Sequence, residues 1–185
     1  MSNAADRPHI LLLTGTPGIG KTTLVRKVAT AMQQYNIAGF YTEEIREGGQ
    51  RRGFRLVTFS GEQGIIAHVS FDHRYQVGKY CVDVAAIDRF ADATLGIVED
   101  IDVYFIDEIG KMECLSQHFV SHIQALLGSE KTVLATVGKK GGGLIETVKD
   151  WPGSELWEIT HTNRDALLPR VVSWLNSRLT APAAN

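Results

Sequence analysis

The segment Gly15-Thr16-Pro17-Gly18-Ile19-Gly20-Lys21-Thr22 constrains this chain more than any other. It follows the apolar run Ile10-Leu11-Leu12-Leu13 and precedes apolar residues at Leu24, Val25, Val28, Ala29 and Met32, a helical spacing. A buried strand, a glycine-rich turn and a helix thus follow one another directly. The glycines let the backbone curl so that successive N–H groups converge on one point. The positive end of the helix adds to that field, which makes the turn a phosphate cradle. The pattern G-x-x-x-x-G-K-[ST] supplies a lysine for the β- and γ-phosphate oxygens and a hydroxyl for Mg²⁺. A turn that only capped a helix would need neither in register. Gly15, Thr16, Pro17, Gly18, Ile19, Gly20, Lys21, Thr22 and Thr23 are therefore the expected contacts to a nucleoside triphosphate, with Thr22 also on Mg²⁺.

A second apolar run, Val103-Tyr104-Phe105-Ile106, ends in the acidic pair Asp107-Glu108. A strand packed beside the phosphate-loop strand would bring Asp107 to the metal, directly or through water. Glu108 would then face the γ-phosphate and orient or deprotonate an attacking water. Alone, such a pair reads as a solvated strand end; behind a phosphate loop it reads as catalytic. Phosphoryl transfer also calls for positive charge on the developing oxyanions. Lys111 and Arg164 are the leading candidates because both lie just past expected strands, where open α/β sheets bind ligands. Lys139, Lys140, Arg51, Arg52 and Arg55 are further options, each equally readable as surface charge.

Between these motifs, strands are expected at 37–42, 54–59, 65–69 and 77–82, and a helix at 84–95. A helix follows around Leu115–Leu127, then a β-branched strand at 132–137, the mobile-looking loop Gly138-Lys139-Lys140-Gly141-Gly142-Gly143, a strand at 156–160, and a last helix with Asn163 as its N-cap. Pro169 within that pattern should shift or kink the helix. The alternation predicts an α/β fold of three layers with a mostly parallel sheet and an antiparallel β insertion after the first βα unit. Residues 7–178 read as one domain, with flexible termini at 1–6 and 179–185.

The formal net charge is −2, which argues against nucleic-acid binding driven by overall charge, though a local basic patch stays open. No apolar run is long enough to cross a membrane and no secretory signal is evident, so a cytoplasmic location is expected. The two cysteines, Cys81 and Cys114, form no C-x-x-C pair, and neither a disulfide framework nor structural zinc is expected. His118 and His122 stand four apart on a helix; with no third ligand apparent, they read as structural.

The segments GTPGIGKTT, Gly39-Phe40-Tyr41-Thr42-Glu43-Glu44, Val77-Gly78-Lys79-Tyr80, Ile106 to Glu113 (IDEIGKME) and Asn163-Arg164 occur in an order that resembles the small P-loop nucleoside-triphosphatases of the cancer-related and thermophile type. The resemblance spans roughly residues 9 to 175. It implies a RecA-like domain and slow, Mg²⁺-dependent hydrolysis of several nucleoside triphosphates, ATP and GTP among them. It also implies Lys21 and Thr22 on phosphate and Mg²⁺, Asp107 on Mg²⁺, Glu108 on the water, and Glu43, Glu44 and Arg164 near the nucleotide. One departure is the GKKGGG stretch, where similar proteins carry a proline-containing segment.

Three other readings compete. Asp107-Glu108-Ile109-Gly110 fits the D-x-x-G of regulatory GTPases. However, Thr162-Asn163-Arg164-Asp165 is one residue short of an N-K-x-D guanine reader and has Arg for Lys. A nucleotide or polynucleotide kinase would grip its acceptor with Arg51, Arg52 and Arg55, yet no arginine-rich lid is evident. A partner-activated ATPase would need a docking face. The sequence does not set the oligomeric state.

Overall fold

The computed structural model describes residues 8–72 and 74–179. In chain order the elements are β1 (Ile10–Thr14), α1 (Lys21–Ala31), β2 (Ile37–Glu47), β3 (Gln50–Thr58), β4 (Gln63–His68), β5 (Tyr75–Val77), β6 (Tyr80–Val82) and α2 (Val84–Thr94). There follow β7 (Val103–Ile109), a 3₁₀ turn (Glu113–Leu115), α3 (Gln117–Leu127), β8 (Thr132–Val137), α4 (Leu144–Thr147), a second 3₁₀ turn (Val148–Asp150), β9 (Ser154–Glu158) and α5 (Arg164–Asn176). The strands form one sheet in the order β5-β6-β4-β3-β2-β7-β8-β1-β9.

The block β2-β7-β8-β1-β9 is parallel throughout. Its central strands are apolar on both faces, because helices cover both. Leu11 and Leu13 of β1, Phe105 of β7 and Leu134 of β8 face a core closed by α1 and α5. Ile10, Leu12, Tyr104, Ile106, Val133 and Ala135 face the opposite core, closed by α2 and α3. This period-2 partition produces the expected three layers. The antiparallel insertion continues the same sheet. β2 runs eleven residues, well past the expected Thr42, because after its parallel pairing with β7 it goes on as the first arm of a hairpin with β3. The stretch at 77–82 is likewise a tight hairpin, β5-β6, rather than one strand.

Helix ends follow local chemistry. The Asp83 carboxylate caps α2 by accepting from the Ala86 amide at 3.0 Å, and Ser116 caps α3 by accepting from Phe119 at 2.9 Å. Asn163 precedes α5 but does not cap it with its side chain. Its amide bridges the preceding loop instead, accepting from Thr160 N at 2.8 Å and donating to Glu158 O at 2.8 Å. Pro169 lies inside α5. Leu179 packs against the α1/α5 core; the other residues assigned to flexible termini lie outside the described residues. Among the described residues no helix is long and apolar enough to cross a membrane.

The outer helices α2 and α3 are tied by charge. Asp92 accepts from His122 at 3.0 Å and from His118 at 2.9 Å, while the Ser116 hydroxyl donates to Asp88 at 2.5 Å. The hydrogen bond to Asp92, reinforced by the charges of Asp92 and Asp88, raises the His118 pKa. His122 and His118 together lower that of Asp92. The Asp92 contribution to stability is present above its unfolded pKa and lost as pH falls through the lowered folded value. The His118 contribution is full below its unfolded pKa and lost as pH rises through the raised folded value. The tie is therefore strongest in mildly acidic solution.

Two outcomes are expected. Asp92→Asn brings the His118 pKa back down, read by NMR titration of the ring protons. Leu12→Ala, at a fully buried site, lowers unfolding free energy by about 3 kcal/mol in a urea titration, the usual cost of a core cavity.

Candidate active site

The phosphate loop bridges β1 and α1. Gly20 is the N-cap residue of α1 at φ 109°, a left-handed conformation that suits glycine. The first turn of α1 carries no acidic side chain, so its amides keep their positive field. Gly15 is required by close approach: a Cβ there would sit 2.8 Å from the Ile159 carbonyl oxygen, where the chain leaving β9 crosses the loop. Lys21 is folded back over the loop. Its ammonium donates to Gly15 O at 3.2 Å and lies 3.7 Å from Glu108 Oε2.

Asp107 is the centre of the site. It is 1 % exposed, near the C-terminal end of β7, where pairing with β8 slips between Ile106 and Ile109. Such irregularities re-aim side chains at strand ends. Asp107 Oδ2 accepts from the Thr22 hydroxyl at 2.6 Å, and Oδ1 from the Thr136 hydroxyl at 2.6 Å. Thr42 Oγ1 donates to the Asp107 backbone carbonyl, and the Thr42 amide approaches Oδ2 at 3.5 Å. Burial raises the Asp107 pKa, opposed by the hydroxyls of Thr136 and Thr22, the Thr42 amide and the charge of Lys21.

One expectation about this strand needs correction. β7 does not lie beside β1; β8 runs between them. Asp107 still reaches Thr22 because the loop and α1 carry Thr22 beyond the end of the sheet. The intervening strand adds Thr136, which sequence reasoning missed. Its only signal was a hydroxyl residue near the C-terminal end of a largely apolar buried strand.

Around this centre is a cleft of about 890 Å³, lined by the phosphate loop, by Thr42, Glu43, Glu44, Arg51 and Phe54 from the β2-β3 hairpin, and by Asp107, Glu108 and residues 110–113. Gly138, Lys139, Lys140 and Ile145 line it from the segment after β8. Burial raises the Glu108 pKa, with the Lys21 charge opposing and the Asp107 charge adding. The cleft wall holds a third carboxyl, Glu113, also buried and pushed up to about 8.

The candidate cations differ in placement. Lys111 and Lys140 line the cleft. Lys139 does too, but it pairs with Glu158 at 2.5 Å. Arg164, at the start of α5, is half exposed, lies 3.7 Å from Asp165 and is not among the lining residues. The arginines considered as an acceptor grip are each paired with a glutamate: Arg51 with Glu44 at 2.8 Å, Arg55 with Glu43 at 2.7 Å, and Arg52 with Glu47 at 3.4 Å. Arg51, followed by Arg46, holds the Glu44 carboxyl below its ordinary range.

A profile of the NTPase family matches residues 10–172. This chain belongs to that family. It is 41% identical over 163 residues to the nucleoside-triphosphatase THEP1 of Thermotoga petrophila, covering 88% of this chain and 90% of the relative. It is 34% identical to the human cancer-related nucleoside-triphosphatase, covering 90% and 96%. The crystal structure of THEP1 from Aquifex aeolicus superposes with a TM-score of 0.83 at 33% identity, covering 90% of this chain and 99% of that one. For this NTPase the fold is therefore the P-loop α/β architecture, and the kinase reading finds no support.

Thr136→Val removes one donor from Asp107 without changing side-chain shape much. The buried carboxyl is then left short of a partner, so unfolding free energy should fall by about 1–3 kcal/mol in a urea titration, while the fold is retained by circular dichroism.

Proposed function

We propose that this NTPase hydrolyses nucleoside 5′-triphosphates to diphosphate and phosphate, with Mg²⁺ as cofactor and little preference among bases. The observation that carries the reading is the hydrogen bond between Thr22 and Asp107 beside the Lys21–Glu108 pair. It joins the phosphate loop to a strand end bearing a carboxylate for water.

The donors suit Mg²⁺. Thr22 and Asp107 offer hard oxygens on one side of the cleft. Among the described residues no three His, Cys, Asp or Glu side chains converge as a cage. Mg²⁺ commonly binds through one or two carboxylates and keeps waters and phosphate oxygens as its other ligands. When bound, it supplies charge neutralisation at the β- and γ-phosphate oxygens.

The chain's own residues account for the remainder. The phosphate-loop amides from Gly15 to Thr23 cradle the phosphates, and Lys21 turns from Gly15 O and Glu108 to the β/γ oxygens. Glu108, part-buried and with a raised proton affinity, accepts a proton from the attacking water. Lys111, in the cleft lining, is the second cation on the developing charge. Arg164, the other cation expected there, lies outside the cleft lining, near Asp165. Base tolerance is supported by the segment where a guanine reader would stand. The Asn163 amide is spent on its own loop, and Asp165 points to solvent with its side chain 95% exposed. The free thiols of Cys81 and Cys114 suit the reducing cytoplasm.

The test is phosphate release from ATP, GTP, CTP and UTP with and without Mg²⁺. Turnover is expected on all four only with the ion. Glu108→Gln should lower kcat by roughly a hundredfold or more, the scale of a lost general base, while a fluorescent nucleotide still binds. A wild-type protein that binds nucleotide but releases no phosphate overturns the reading.

A further inference from the structure

The P-loop, Asp107 and Glu108 leave one buried ionisable group of the cleft without a task. Glu113 is 6 % exposed, stands in the 3₁₀ turn that follows β7, and lines the cleft. The room around Gly110 shows what it faces. A Cβ built on Gly110 would meet Glu113 Oε2 at 2.7 Å and Glu108 Oε1 at 3.3 Å. The two carboxyl oxygens therefore lie beside the same point, no more than about 6 Å apart, and a side chain at position 110 would press on the Glu113 carboxyl first. The backbone amides of Glu113 itself and of Gly110 favour the charged form of the Glu113 carboxyl, against the larger effect of burial.

With Glu113 buried and Glu108 part-buried beside it, a charge on one carboxyl disfavours a charge on the other. We infer that Glu113 is a positioning residue for Glu108: an uncharged carboxylic acid that donates a hydrogen bond toward the Glu108 carboxylate, directly or through one water, and so fixes the oxygen that receives the proton of the attacking water. The inference rests on the hydrolytic reading above. In the chemical step the water oxygen bonds to the γ-phosphorus, the bridging P–O bond to the β-phosphate breaks, and the water proton passes to Glu108. Glu113 keeps its proton throughout.

The surroundings support an uncharged state. Burial is the main cause holding the Glu113 proton up to about 8, and the Glu108 and Asp107 charges, both from β7, add to it. Neighbouring Cys114 is kept as a thiol, pushed up to about 12. Of the charged groups on α2 and α3, which pack on the same turn, Asp88 is engaged by Ser116, and Asp92 by His118 and His122, while Arg89 is exposed. Lys21, Lys111, Lys139 and Lys140 share the cleft. Of these, Lys21 draws on Glu108 and Lys139 on Glu158.

The experiment compares steady-state ATP hydrolysis with Mg²⁺ for wild type, Glu113→Gln and Glu113→Ala, on both sides of pH 8. Thermal melting and fluorescent-nucleotide affinity are measured in parallel. Wild-type kcat should fall as pH rises through the ionisation of Glu113, because its charge then repels Glu108 and the γ-phosphate. Glu113→Gln keeps an uncharged donor, so it should hold its neutral-pH kcat and lose that alkaline decline. Glu113→Ala should lose roughly ten- to a hundredfold in kcat, the cost of a misplaced reacting group, with KM changed far less. The proposal is overturned if Glu113→Gln declines on the same limb as wild type, or if Ala and Gln behave alike. If the alanine variant does not fold, the comparison of glutamine with wild type decides. A wild type with no turnover at any pH fails the hydrolytic reading itself, and the inference falls with it; an active wild type with an unshifted glutamine profile fails this inference alone.

Discussion

A single buried carboxylate organises this molecule. Asp107 stands in the middle of the sheet, almost without solvent contact, and such a group is tolerated only when its oxygens are satisfied. Thr22 and Thr136 satisfy them from different elements, α1 and β8, while Thr42 of β2 ties down the backbone. Three parts of the fold, α1, β8 and β2, are thus bonded to one residue. Losing the Thr22 or the Thr136 hydroxyl leaves a buried carboxyl with fewer partners, and that costs more than the bond itself is worth on balance.

The same arrangement explains the charge logic of the cleft. Asp107, Glu108 and Glu113 are all drawn toward the protonated state by burial. Lys21 is the cation that opposes this for the first two. Against so many carboxyls, the phosphate-loop amides and Lys21 are the groups that favour a triphosphate, and the Thr22 hydroxyl meets the Asp107 carboxylate beside them. On the hairpin side the glutamates are matched by arginines instead, so that wall is close to neutral.

Much of this was legible in the sequence, for reasons that differ by element. The phosphate loop was readable because its chemistry is local: glycine, lysine and threonine act within one turn. The parallel strands were readable because double-sided burial leaves unbroken apolar runs. The length of β2 was not, since its second half is held by pairing with β3 rather than by its own pattern. Thr136 was hidden because its partner is distant in sequence, and one threonine in a β-branched strand looks like ordinary strand propensity. The adjacency of β1 and β7 was misjudged because strand order depends on crossovers that periodicity does not encode. Asn163 looked like a cap because residue type and position fitted, yet the loop before it had stronger need of its amide.

The hydrogen bonds that complete the site join residues far apart along the chain. Thr22 and Asp107 are separated by 85 positions, and the nearby bond from the Thr14 hydroxyl to the Val137 carbonyl spans 123. Contacts of such separation repay the entropy of loop closure only after most of the chain is already ordered. The phosphate loop itself is a local turn, but the carboxylate that completes it arrives from the second half of the molecule, across a strand that must also be in register. During synthesis, then, the N-terminal half emerges with a cradle and no partner for it, and Asp107 meets Thr22 only once β8 has been laid between β1 and β7.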